Sequence, residues 1–171
     1  SLIMALLELS TSEHESYAKE MLNIIKSSGG IVRVHPITIK EVSNIIQSVE
    51  SSGYPKPNTE IASAYERYNL NKTKLIKIRT HLEQRLDKKG ISTFPVQNGY
   101  ELKQIINEYQ QKKIVIELHK SREFFHNNGE EDKFRDIHDI YMDDYISKRR
   151  LQKKDNNVCF VTLNKDLIAF C

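Results

Sequence analysis

What the chain lacks narrows its class before any motif is read. No apolar run is long enough to cross a bilayer, so no membrane partner is expected. The opening SLIMALLEL is apolar, yet it has no basic flank before it and no small-residue cleavage site after it, which argues against a signal peptide. It also starts without an initiator Met, as a fragment would. Cysteine is scarce. Cys159 and Cys171 form no metal-type spacing and lie in or beside apolar residues, the setting of buried reduced thiols in a cytoplasmic protein. None of the six histidines belongs to an HExxH or similar motif. There is no internal repeat and no low-complexity tract. Charge excess is small as well: 26 basic against 23 acidic residues give a formal net charge of +3, so bulk electrostatics do not announce a nucleic-acid binder.

What remains is the composition of one globular, water-soluble domain, 39% hydrophobic and 29% charged, with 171 residues enough for a single core and one insertion. After the apolar residues 2–9, Ser12 and Glu15 offer a capping pair. Tyr17, Ala18, Met21, Leu22, Ile24 and Ile25 then recur at helical spacing, predicting a helix over 12–26 that SSGG ends. IVRV reads as a short strand closed by Pro36, and Thr38 caps a helix whose apolar face is Ile39, Val42, Ile45, Ile46 and Val49. YPKPN is a turn-rich linker. Beyond it the pattern predicts helices over roughly 58–69, 71–89 and 99–125 with no clear strand among them, then a helix over roughly 130–153 and a second strand, VCFVT. Two strands separated by helical crossovers predict a parallel sheet with helices on its faces, its functional groups beyond the carboxyl ends of the strands.

Three polar sites meet that rule. Glu41 lies one turn into the helix after IVRV, at the border of its apolar stripe, where a charge is also an ordinary partner for the helix dipole. In KFRDIHDIYMDDYISKRR, Asp132, Asp136, Asp139 and Asp143 fall four, three and four residues apart, on one helical face. Two carboxylates about 4 Å apart repel by roughly 4 kcal/mol at an effective dielectric near 20. A bound divalent cation turns that cost into affinity, while Lys133, Arg135, Lys148 and Arg149 can instead neutralise a solvated acidic face. Thr162, Asn164 and Asp166 follow the second strand, in what is also common turn and cap chemistry.

Taken in order, these sites resemble the PIN-domain family of metal-dependent ribonucleases. HPITIKEV is similar to the segment carrying the family's Glu, here Glu41. KFRDIHDIY looks like its late helix, with Asp136 the better match and Asp139 the alternative. CFVTLNKDL looks like its TNDKDL segment, with Thr162 and Asn164 on motif positions and Asp166 two residues later. The resemblance covers residues 1–53 and 130–171. It implies a PIN-like, Rossmann-like three-layer α/β core, a parallel sheet flanked by helices, built from 1–53 and 129–171, with an inserted helical lobe at 54–128. It further implies that Glu41 and Asp136, with Asp139 and Asp166, hold Mg or Mn, that Thr162 and Asn164 position water or phosphate, and that the reaction is phosphodiester hydrolysis of RNA. Two departures stand out. Asn164 occupies the place of the family's final acid, and the family's first Asp would fall just upstream of Ser1. By the same comparison, Cys171 precedes the family's last helix and strand.

Substrate contacts are expected from two basic runs. NKTKLIKIRTHLEQRLDKKG carries Lys77 and Arg79 together with Lys72, Lys74, Arg85, Lys88 and Lys89, and SKRRLQKK carries Lys148, Arg149 and Arg150. Such residues can hold phosphates in a salt-dependent way, and they also furnish ordinary solvated helix faces. The helical lobe offers a surface for a protein partner. Two other readings compete: a PIN-like fold without its metal site that serves binding or assembly, and an all-helical interaction domain in which IVRV and VCFVT are buried helix ends or edge strands.

Overall fold

A computed structural model describes residues 2–94, 99–117 and 130–151, which fall into two compact units, Ser1–Pro95 and Val96–Cys171. In the first unit the apolar opening becomes α1 (Leu2–Leu6), with Ile3, Met4, Ala5, Leu6, Leu7 and Leu9 all buried at the centre of the core. It ends in a left-handed turn at Glu8 (φ 63°), where the Leu9 N–H reaches back to the Met4 carbonyl at 2.9 Å. α2 (Ser12–Ser27) buries Ala18 and Leu22 against α1. Its N-cap is Thr11, one residue before the expected capping pair, and the Thr11 hydroxyl accepts the His14 N–H at 3.3 Å. SSGG does end it: Gly29 takes φ 74°, which a Cβ would disfavour, and Gly30 N–H closes on the Ile25 carbonyl at 2.8 Å.

β1 (Val32–Val34) is the strand expected from IVRV. α3 (Pro36–Ser52) starts two residues earlier than Thr38, because Pro36 has the fixed φ and missing N–H that suit a first helical position, and His35 Nδ1 accepts the Ile37 N–H at 3.2 Å. Then follow α4 (Glu60–Arg67), α5 (Lys72–Thr80), α6 (Leu82–Lys88) and β2 (Ile91–Thr93). β2 pairs in parallel with β1, in the register Val32 to Ile91, Arg33 to Ser92 and Val34 to Thr93. Val34 and Ile91 enter the core with Val42, Ile46, Leu75 and Leu86, while the cross-strand pair Arg33 and Ser92 is exposed.

This overturns the expected three-layer fold with a parallel sheet flanked by helices. The described residues are mostly helical, and the sheet among them is one pair of three-residue parallel strands. The physical reason is that the core is filled by helical side chains, from α1 through α6, and the strands add only Val34 and Ile91 to its fully buried set. β2 itself escaped the sequence reading because GIST is too short to show a two-residue period between two helical patterns. The expected strand VCFVT lies outside the described residues.

The second unit contains α7 (Gly99–Tyr109), α8 (113–117) and α9 (Glu130–Leu151). α7 packs on α9 through the Tyr109 ring, which stands edge-on to Tyr141 at 5.2 Å between centroids. The Tyr109 hydroxyl and the Lys112 ammonium both donate to Asp144 Oδ2, at 2.7 and 2.8 Å.

Candidate functional site

The carboxyl ends of the two strands lead into His35 and Phe94. Their rings lie 6.2 Å apart, and the Arg33 guanidinium sits 5.7 Å from the centre of the Phe94 ring. From His35, α3 carries Glu41 about one turn beyond Ile37 and Thr38. Ile37 and Val42 are fully buried, and the helix draws Glu41 in with them, leaving it 9% exposed. It is thus more deeply placed than the border position its spacing suggested.

On α9 the acidic ladder divides. Asp136 is fully buried and Asp139 is 5% exposed, whereas Asp143 is open to solvent. His138, between the two buried carboxylates, is itself buried, and its Nδ1 lies 3.1 Å from Asp139 Oδ1. An Nδ1–H donating there puts the ring's lone pair on Nε2 and fixes the Asp139 carboxylate in one orientation. No motif pointed to His138. Only its burial between Asp136 and Asp139 brings it forward. Among the described residues no buried side-chain nitrogen or oxygen lacks a hydrogen-bond partner.

Two further buried acids show what a structural carboxylate looks like in this chain. Glu15 accepts from Arg67 at 2.5 Å and from the Tyr68 hydroxyl at 2.7 Å, and that bond, with burial, pushes the Tyr68 phenol above its ordinary range. Glu50 takes a two-pronged bond from Arg79, at 2.8 and 3.0 Å, which raises the guanidinium's proton affinity further. Arg79, expected to meet phosphate, is therefore committed to Glu50 and ties α5 to α3.

Of the other residues expected at the site, Lys77, Lys148 and Arg150 are exposed. The side chain of Arg149 and all of Thr162, Asn164 and Asp166 lie outside what the structure describes. Glu41 belongs to the first compact unit, and Asp136 and Asp139 to the second. Among the described residues no three histidine, cysteine or carboxylate side chains gather where they could hold a metal ion. The donors that are described are nevertheless of one chemical kind: carboxylate oxygens held out of water, the ligand type that hard divalent cations take. Comparison with protein-family models, with curated proteins and with solved structures finds no match to this chain.

Proposed function

We propose that this protein hydrolyses RNA phosphodiesters with the help of Mg or Mn, with Glu41, Asp136 and Asp139 as the carboxylates the reaction requires. The observation that supports this reading is burial. Carboxylates are rarely withdrawn from water unless they are paired or bind metal, and three acids that the sequence pattern singled out, Glu41, Asp136 and Asp139, are withdrawn, at 9%, 0% and 5% exposure, in addition to the ion-paired Glu15 and Glu50. The resemblance of HPITIKEV and KFRDIHDIY to the PIN-domain segments supports the same residues. The reading rests on these side chains and needs no three-layer sheet.

Glu41, Asp136 and Asp139 are the cation ligands that the family resemblance implies. When bound, the cation would supply charge neutralisation at the phosphate and a water acidified toward neutral pH. The chain contributes preorganisation. Glu41 is positioned by a helix whose start is fixed by His35 and Pro36, and Asp139 is oriented by His138.

The test is cleavage of single-stranded RNA by the protein in Mn, Mg or EDTA, run beside thermal melting. Mn is expected to raise the melting temperature and support cleavage, and EDTA to abolish both. E41Q and D136N should each slow cleavage on the order of a hundredfold and shrink the Mn-induced shift. Cleavage that persists in EDTA would overturn the proposal. RNA binding with neither cleavage nor a response to Mn would mark a binding module instead.

A further inference from the structure

The described cations divide into those with partners and those without. Arg67 and Arg79 are tied to Glu15 and Glu50, Lys112 to Asp144, and Lys74 to the carbonyls of Tyr68 and Asn69 at the end of α4. Arg85, Lys88 and Lys89, on the last turn of α6 and just beyond it, make no side-chain hydrogen bond, ion pair or ring contact among the described residues. These three converge on one open groove of about 280 Å³, whose other walls are Leu7 and Glu8 at the end of α1. A fourth positive charge stands at its rim, where the Lys26 ammonium donates to the Lys89 carbonyl. That contact depends on Gly90. Its φ is 72°, and a Cβ there would come within 2.8 Å of Lys26 Nζ. The single carboxylate in the groove, Glu8, is already shared with Lys19, 3.9 Å away. Three unpartnered cations brought into one concavity repel one another, and a polyanion relieves that repulsion.

We infer that the groove formed by Arg85, Lys88, Lys89 and Leu7 binds the phosphate backbone of a single-stranded RNA, as a holding site separate from Glu41. Its place in the fold supports the separation. Lys88 and Lys89 lead into the amino end of β2, while Glu41 follows the carboxyl end of its parallel neighbour β1. A strand of this length holds its first and last Cα about 7 Å apart. The groove therefore adds affinity without touching the reacting bond, and its removal raises KM while leaving kcat unchanged. The identity of the polyanion as RNA rests on the function proposed above. The groove's affinity for phosphate does not, and it is measured without metal.

The experiment is fluorescence anisotropy of a labelled oligouridylate in EDTA, titrated over a range of salt. The triple variant R85A/K88A/K89A should bind about tenfold more weakly, and its log–log salt slope should fall by about 2, the value for three lost phosphate contacts on a single strand. E8Q should act in the opposite direction and bind a few-fold more tightly, while K56A, an exposed lysine elsewhere, should leave binding unchanged. Unaltered affinity and slope in the triple variant would overturn the inference, as would an equal loss in K56A. Displacement of the RNA by oligoglutamate at equal charge would also overturn it, by assigning the groove to acidic peptides. Since binding is read in EDTA, loss of Mn-dependent cleavage alone counts against the hydrolase and not against the groove.

Discussion

Tyr109, Lys112 and Asp144 show how one small group of side chains makes stability depend on pH. Bonds from Lys112 and Tyr109 hold the Asp144 carboxyl below its ordinary range. Burial and the bond to Asp144 push the Tyr109 phenol up. Burial alone would lower Lys112, but its bonds to Asp144 and Tyr109 outweigh that and hold its ammonium above the usual value. A lowered carboxyl stabilises the fold above its unfolded pKa and loses that contribution as pH falls through the folded value. A raised ammonium or phenol stabilises below its unfolded pKa and loses its contribution as pH rises through the folded value. The contact between α7 and α9 is therefore strongest between about pH 4 and pH 10. Melting of the wild type and of D144N across pH should show a difference that is widest inside this window and closes at both ends. A difference independent of pH would rule out the linkage. At this same scale Glu41 and Asp136 were legible in the sequence as candidate acids. Their burial was not, because it is set by what packs against α3 and α9 and not by spacing along either helix.

At the level of elements, the junction of α5 and α6 centres on His81. The spacing of Leu75, Ile78, Leu82 and Leu86 predicts one helix over roughly 71–89, and all four are buried on one side as that spacing requires. The backbone nevertheless interrupts at His81. The His81 ring nitrogen Nδ1 bonds the Lys77 carbonyl at 2.9 Å, the group that its own backbone N–H would take in a continuous helix, and the N–H turns instead to the Ile78 carbonyl at 3.3 Å. H81A removes the competitor, so the two helices should fuse, with slightly greater ellipticity at the helical band and a stability change within about 1 kcal/mol. Reduced helicity in H81A would show that the ring stabilises the junction and does not cause it. The break illustrates what local pattern misses. Apolar period located α2, α3 and α4 and the helical stretch 71–89, and left α1 as an apolar run, while a side chain competing with its own backbone leaves that period intact. β2 was missed for a different reason: a three-residue strand acquires its identity from a partner far away in the chain, and nothing within Ile91–Thr93 announces it. The N-caps of α2 and α3 lie one and three residues earlier than expected, because Thr11 and His35 supply the cap bonds in place of Ser12 and Thr38.

For the molecule as a whole, the near balance of charge hides local separation. The basic residues that pair with Glu15 and Glu50 hold helices together, and three others, Arg85, Lys88 and Lys89, gather at one end of α6. Among the described residues no helix is long and apolar enough to cross a membrane. The hydrophobic cluster of the first unit runs from Ile3 to Ile91 and is built from elements of that unit alone. Within it, the pairing of β1 with β2 is separated by all four helices α3 to α6. Closing so long a segment for three residues of ladder is entropically slow, whereas α1 with α2 and α5 with α6 are neighbours in sequence. The strand pair should therefore zip after the folding barrier has been crossed. I91V, which trims one methyl from a side chain 1% exposed, is expected to cost about 0.5–1.5 kcal/mol and to appear in a chevron as faster unfolding at an unchanged folding rate. The short parallel ladder is then the latch of the first unit, last to engage and first to release.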